Sequence, residues 1–106
     1  MIKNILVTGG AGYIGSHITE ILVNKKKNVV IVDDLSSGFK RLINKKAVFI
    51  KLKIKKTKKL KKLINKYRID TIIHLAGSLI IEEGEKFPKK YFRNNVTHTK
   101  SVLLAL

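Results

Sequence analysis

The sequence predicts an α/β fold in which one parallel sheet is covered by helices on both faces, a three-layer arrangement. Apolar runs with strand propensity alternate with segments of helical pattern, and such alternation is typical of right-handed βαβ units. The apolar runs are nearly continuous, as expected for strands that are buried on both faces. We expect a single domain over residues 1–106 with the strand order 3-2-1-4. The predicted strands are 3–7, 28–33, 47–52 and 71–76, and the predicted helices are 13–24, 57–68 and 89–105.

A glycine-rich turn separates the first predicted strand from the first predicted helix. The apolar run 5–7 is followed at once by the sequence Thr-Gly-Gly-Ala-Gly-Tyr-Ile-Gly. A tight turn needs a residue that tolerates positive φ, which Gly9 or Gly10 supplies. Gly12 lacks a Cβ and lets a diphosphate approach the backbone, and Gly15 lets the helix pack tightly on the strand. The start of this helix is therefore a predicted anion site, because its free N–H groups and positive dipole end face the turn.

An acidic residue follows the second predicted strand. The apolar run 29–32 ends at Asp33, which comes 18 residues after Gly15. A carboxylate there accepts hydrogen bonds from the adenosine ribose hydroxyls and repels a 2′-phosphate. The motif differs from a chance glycine turn because a strand precedes it and a helix, a second strand and an acid follow it. This order is typical of a Rossmann-like dinucleotide-binding unit. The residues therefore predict NAD rather than NADP as the cofactor.

The later elements follow from apolar spacing and from proline. The second predicted helix carries Leu60, Leu63, Ile64 and Tyr67 at the i, i+3, i+4, i+7 spacing of a face that packs on a core. Its first turn is rich in lysine, which the helix dipole disfavours. Pro88 suits the first turn of the last predicted helix.

Composition excludes several classes of function. The chain has no cysteine, which removes disulfide frameworks and thiolate metal sites and fits the reducing cytoplasm, where we expect the protein. His17, His74 and His98 lack the spacing of metal ligands, so we expect no metal. The sequence contains neither a Walker phosphate loop nor a nucleophile elbow. No apolar run approaches the ~18–20 residues of a membrane span, and the N-terminus lacks a signal-peptide pattern.

Positive charge is concentrated in one segment. The formal net charge is +16, and residues 40–66 hold 13 Lys or Arg and no Asp or Glu. Such a segment neutralises phosphates, so weak binding to a polyanion is one alternative function. Specific nucleic-acid recognition is disfavoured, because the segment has one arginine, Arg41, and few aromatic rings, with Phe49 inside it and Tyr67 directly after it.

Four segments of the chain resemble one known family. They are TGGAGYIGSH at 8–17, VIVDDLSSG at 30–38, IDTIIHLAGS at 69–78 and PKKYFRNNV at 88–96. In order and spacing they resemble the extended short-chain dehydrogenase/reductases, and within them the UDP-glucose 4-epimerase family. The resemblance covers nearly the whole chain. It implies a Rossmann-like fold, NAD as cofactor, a UDP-sugar substrate and a homodimer as the assembly.

The resemblance also implies a set of cofactor-binding residues. Tyr13 and Ile14 would lie beside the pyrophosphate, and Asp33 would bind the adenosine ribose. Residues 34–38 would line the ribose pocket, and 75–77 would run toward the nicotinamide. His17 and His74 lie in the family's motifs, but we assign them to packing. The full set is Gly9, Gly12, Tyr13, Ile14, Gly15, Asp33, Asp34, Leu35, Ser36, Ser37, Gly38, Leu75, Ala76, Gly77 and Asn94.

Two short segments depart from the family pattern. The family has a Gly-Asp pair and an isoleucine after the third strand, and its aspartate accepts a hydrogen bond from the adenine amino group. Here these positions are Leu52, Lys53 and Ile54. Lysine is a donor only, so it cannot make that bond. The family's Pro-Glu-Ser near the cofactor is Glu-Glu-Gly at 82–84.

The family's catalytic Tyr-x-x-x-Lys pair is missing. None of Tyr13, Tyr67 and Tyr91 is followed by lysine four residues later. We therefore expect a truncated and inactive form of the NAD-binding part of an epimerase that interconverts UDP-glucose and UDP-galactose, without the catalytic helix and the sugar-nucleotide domain. A non-catalytic module that binds NAD, the weak polyanion binder and a chain with no working role are the alternatives.

Overall fold

The computed structural model describes residues 2–36, 38–76 and 98–105, and these form a four-stranded parallel sheet with helices on both faces. The strand order β3-β2-β1-β4 confirms the predicted 3-2-1-4 order. A short 3₁₀ turn, Lys40–Leu42, precedes β3. The strands are β1 Asn4–Thr8, β2 Asn28–Asp33, β3 Val48–Lys51 and β4 Thr71–His74, and the helices are α1 Tyr13–Asn24, α2 Thr57–Lys66 and α3 His98–Ala105.

Most element boundaries fall within two residues of the prediction. Strand β4 ends at His74 rather than at residue 76, because the N–H groups of Leu75 and Ala76 turn toward Thr8 of β1. Helix α2 ends at Lys66 rather than at residue 68, and Arg68 then adopts a φ of 51° that no helix continues. Of the last predicted helix, residues 89–97 lie outside the described residues.

Alternate residues of the central strands point to two separate cores. Leu6 of β1 and Val30 of β2 pack with Leu60 and Leu63 of α2, and α3 covers the same face. Ile5 and the other alternate residues of β1 and β2 point to the opposite face of the sheet, where α1 packs. Two apolar clusters, one on each face of the sheet, make the three layers that the continuous apolar runs predicted.

Helix α2 is strongly amphipathic, as its apolar spacing predicted. Leu60 and Leu63 are buried, and Ile64 and Tyr67 pack partly against the same core. The lysines of the helix are exposed. The apolar face of α2 is therefore buried inside the domain, and its charged face forms part of the outer surface.

A carboxylate connects the amino ends of β1 and β4. Asp70 Oδ2 accepts hydrogen bonds from the N–H of Asn4, at 2.8 Å, and from that of Lys3, at 2.9 Å. Asp70 Oδ1 accepts a third bond from the Thr71 hydroxyl. The N–H groups of Asn4 and Lys3, in that order, hold the pKa of Asp70 below its usual range, and they outweigh the opposing effect of desolvation.

We expect the Asp70→Asn variant to change how the stability of the fold depends on pH. Because the pKa of Asp70 is lower in the folded state, its contribution is fully present above the unfolded value of about 3.9 and is lost as pH falls through the folded value. Thermal melts from pH 6 down to pH 2, at about one-unit steps around that value, should show wild type losing its advantage over Asp70→Asn. A difference in midpoint that stays constant with pH would contradict this role.

Candidate functional site

A tight turn at the carboxyl end of β1 places the glycines. Gly9 has a φ of 74°, and its N–H donates to the carbonyl oxygen of Val32 at 2.8 Å. Gly9, rather than Gly10, is therefore the residue whose conformation requires glycine. At Gly10 glycine is required for a steric reason instead, because a Cβ there would lie 2.6 Å from Cγ2 of Ile31.

Gly12 and Gly15 meet different surroundings at the start of α1. A Cβ on Gly15 would lie 2.3 Å from the carbonyl oxygen of Gly9, so Gly15 packs against the turn itself rather than against the strand. A Cβ on Gly12 would have one neighbour, the same oxygen at 3.3 Å, and otherwise open space. The backbone at Gly12 is thus open to a ligand, as its predicted role requires.

The first turn of α1 presents backbone donors to this open space. Gly12 is the N-cap of the helix, with no side-chain cap, and the first turn contains no acidic residue. N–H groups at the start of a helix have no partner within it. Tyr13 and Ile14 begin the helix with exposed side chains, and the rings of Tyr13 and His17 form a T-shaped pair with 4.7 Å between centroids.

Asp33 joins the two loops at this edge of the sheet. Its side chain is 8% exposed. Its Oδ2 accepts a hydrogen bond from the N–H of Ala11 at 3.1 Å, and its Oδ1 accepts one from the N–H of Leu35 at 2.7 Å. Each carboxylate oxygen has a second lone pair, so the group can still accept from a ribose hydroxyl. The bond to Ala11 places this carboxylate beside the start of α1.

The segment after β2 folds back onto the glycine turn. Asp34 Oδ1 accepts from the N–H of Ser36 at 2.9 Å, and Leu35 adopts a φ of 63°. The N–H of Phe39 donates to the carbonyl oxygen of Ala11 at 3.0 Å. A Cβ on Gly38 would lie 2.8 Å from that oxygen. Residues 34–36 and 38 therefore lie beside the predicted ribose position, while Ser37 lies outside the described residues.

The chain after β4 closes the same edge from the other side. Leu75 donates its N–H to the carbonyl and hydroxyl oxygens of Thr8, each at 3.0 Å. Ala76 donates to the Thr8 hydroxyl at 3.3 Å. That hydroxyl also bonds Nδ1 of His74, so His74 is a paired packing residue, as assigned from the sequence. Gly77 and Asn94, the other predicted residues of this side, lie outside the described residues.

Lys53 lies at this edge as well, in the turn that follows β3. Its neighbour Leu52 donates an N–H to the carbonyl oxygen of Asp33 at 3.2 Å, which brings the turn beside the end of β2. The Lys53 side chain is exposed. A donor therefore occupies the position at which the resemblance predicts an acceptor for adenine.

The described part of the chain contains no group of three or more His, Asp or Glu side chains that could hold a metal ion. None of its helices is long and apolar enough to cross a membrane. What the sheet edge does offer is a set of helix N–H donors, an open glycine and a carboxylate.

Comparison with known proteins agrees with this arrangement. The profile of the NAD dependent epimerase/dehydratase family matches residues 5–106. The chain belongs to this family. Among its relatives, a UDP-glucose 4-epimerase of Lactobacillus helveticus is 38% identical over 102 residues, which are 96% of this chain and 31% of that enzyme. A UDP-glucose 4-epimerase of Klebsiella pneumoniae is 34% identical, over 96% of this chain and 78% of that sequence.

Solved structures of the family superpose closely on the chain. The UDP-glucose 4-epimerase of Brucella ovis in complex with NAD gives a TM-score of 0.92 at 37% identity, over 97% of this chain and 31% of that one. The enzyme of Thermotoga maritima with UDP-glucose gives 0.93 at 31% identity, over 96% and 33%. The chain thus spans about a third of the length of most of these relatives.

Proposed function

We propose that this chain binds NAD, as the nucleotide-binding part of a UDP-glucose 4-epimerase. The observation that carries the proposal is the hydrogen bond from the Ala11 N–H to the buried Asp33 carboxylate, which unites the glycine turn and the acid in one site. A dinucleotide presents a diphosphate and a ribose to such a site together. Relatives whose structures hold NAD support the same ligand.

The residues present fit this cofactor at its phosphate and ribose. The open backbone at Gly12 and the first N–H groups of α1 would hold the diphosphate. Asp33 would accept from the ribose hydroxyls, with residues 34–36 and 38 around it. When bound, NAD supplies a hydride acceptor. This chain's own part is to bind and orient it, since the sequence contains no Tyr-x-x-x-Lys pair.

Wider assignments follow from the family. We propose that the complete reaction interconverts UDP-glucose and UDP-galactose in galactose metabolism, that it takes place in the cytoplasm, and that the protein assembles as a homodimer. We propose that these 106 residues alone do not convert a UDP-sugar, because the tyrosine and lysine that would move the proton are not among them.

Isothermal titration with NAD tests the site through two carboxylates that are matched in chemistry. Asp33 and Asp70 each accept two backbone N–H bonds, but Asp33 lies at the carboxyl edge of the sheet and Asp70 at the amino edge. Because a hydrogen bond to a charged group contributes about 1.5–3 kcal/mol, we expect Asp33→Asn to weaken NAD binding about tenfold or more. Asp70→Asn should leave the dissociation constant unchanged.

The same titration with NADP examines the role of the Asp33 charge. Wild type should bind NADP more weakly than NAD, because the 2′-phosphate would meet the carboxylate. Equal affinity for the two cofactors, or equal effects of the two asparagine variants, would contradict the proposed site. Folding of each variant is checked by circular dichroism before titration.

A further inference from the structure

Two neighbouring cavities form a basic groove between β3 and α2. One, of about 400 Å³, lies at the amino ends of the strands and is lined by Lys46, Lys66 and Arg68 beside Tyr67. The other, of about 350 Å³, runs between β3 and the outer side of α2. Lys66 and Tyr67 line both cavities, so the two are adjacent. We call the pair the β3–α2 groove.

The groove carries uncompensated positive charge. No Asp or Glu lines either cavity in the described part of the chain, and none of the cationic side chains there has a salt bridge to another described residue. Because no carboxylate of the described residues competes for these cations, they are available to an anionic ligand. The six cationic residues that line it are Lys46, Lys51, Lys59, Lys62, Lys66 and Arg68.

The lysines of α2 follow the groove in a regular row. Lys59, Lys62 and Lys66 lie at i, i+3 and i+7, which places them on one side of the helix and spreads them over about 10 Å of its axis. The row runs beside strand β3. Repeated cations along a recessed path match an extended chain with repeated negative charges rather than a single small anion.

Tyr67 is the aromatic residue that lines both cavities. It is half-buried, and the ammonium of Lys66 lies over its ring, 5.3 Å from the centroid, so a base that stacks on this face would displace the ammonium toward its phosphate. A nucleotide needs a cation for its phosphate and an aromatic face for its base, close to each other. Phe49 packs instead against the core on the α1 face of the sheet, so Tyr67 is the stacking residue that the groove offers.

We propose that the β3–α2 groove binds single-stranded nucleic acid without sequence preference. The lysines would track the phosphates and Tyr67 would stack on a base. An anionic membrane fits less well, because the groove is recessed and the apolar face of α2, at Leu60 and Leu63, is buried and cannot insert into lipid. This inference does not depend on NAD binding.

Fluorescence anisotropy with the complete chain and labelled oligonucleotides of about twelve nucleotides tests the proposal. Oligo-dT and oligo-U serve as separate probes, so that DNA and RNA are distinguished. With about five phosphates contacted, log K should fall with log salt at a slope of about −3 to −4 between about 50 and 200 mM. A flat salt titration, or no binding of either oligonucleotide, overturns the proposal.

Two triple variants separate the groove from general positive charge. Replacing Lys59, Lys62 and Lys66 by glutamine removes three groove cations and should reduce the salt slope by about 2. The matched control replaces Lys55, Lys58 and Lys61, which belong to the same basic segment but line neither cavity. It makes the same change in net charge and should reduce the slope much less. Equal losses in both variants overturn the groove as the site.

Tyr67 variants and competitors test the class of partner. Tyr67→Leu should weaken oligonucleotide binding about tenfold through lost stacking, whereas Tyr67→Phe keeps the ring and should bind like wild type. Circular dichroism confirms that both variants fold. Equal binding by the two Tyr67 variants would show that Tyr67 does not stack on a base. Tighter binding to polyglutamate, or to phosphatidylcholine vesicles containing phosphatidylserine, than to the oligonucleotides would assign the groove to an acidic protein or a membrane instead.

Discussion

Replacing Gly15 with alanine is expected to destabilise the fold by about 3 kcal/mol, at the upper end of the usual cost of overpacking. The new Cβ would lie 2.3 Å from the carbonyl oxygen of Gly9 and 2.8 Å from Cα of Gly10. Both contacts are with backbone, so no side chain can rotate away to relieve them. For a small domain with a total stability of about 5–15 kcal/mol, such a loss leaves little reserve. Urea denaturation followed by circular dichroism measures it.

Gly12 supplies the matched control within the same helix start. A Cβ there would meet one atom, the oxygen of Gly9 at 3.3 Å, so Gly12→Ala should change the free energy of unfolding by less than about 1 kcal/mol. The same methyl group points into the space proposed for the diphosphate, so NAD binding should weaken. A Gly15→Ala variant as stable as wild type would show that α1 does not pack on the glycine turn as closely as these distances indicate.

Replacing Lys53 with aspartate is expected to tighten NAD binding about tenfold. The substitution supplies an acceptor at the position that the resemblance assigns to the adenine amino group, and a hydrogen bond to a carboxylate contributes about 1.5–3 kcal/mol. Lys53 is exposed, and its side chain makes no hydrogen bond to the described residues, so the fold should tolerate the change. The dissociation constant from isothermal titration is the measurement.

Lys55→Asp provides the comparison that isolates adenine recognition. Lys55 is also exposed, lies two residues further along and undergoes the same change of charge. If the gain at Lys53 comes from an adenine contact, Lys55→Asp should leave NAD affinity near that of wild type. Equal effects at the two positions would assign the gain to the overall reduction in positive charge.

The strand order and the layers could be predicted because they depend on patterns that are local in sequence. Continuous apolar runs such as 29–32 require cover on both faces, and the glycine turn and the acid at Asp33 require a shared edge. The structural role of Asp33, whose carboxylate connects two loops, could not be predicted. Its bonds to Ala11 and Leu35 depend on how two loops fold against each other, and residue type alone does not specify that.

The surface that the charged segment forms could not be predicted from the sequence either. The sequence locates 13 cationic residues in 40–66, but it does not say which of them share a surface. Only the packing of α2 against β3 separates Lys59, Lys62 and Lys66, which line the groove, from Lys55, Lys58 and Lys61, which do not. The spacing of Tyr67 predicts a core residue, and it does contact the core, yet it also lines the groove.

The two hydrogen bonds of Asp33 tie cofactor preference to the integrity of the fold. To accommodate a 2′-phosphate, the carboxylate must give way to a neutral or basic side chain. A basic side chain there offers no acceptor to the Ala11 and Leu35 amides, and asparagine keeps an oxygen in only one of the two positions. Redesign or evolution toward NADP must therefore supply a new partner for at least one of the two loops before the anion is removed, or pass through a loosened intermediate.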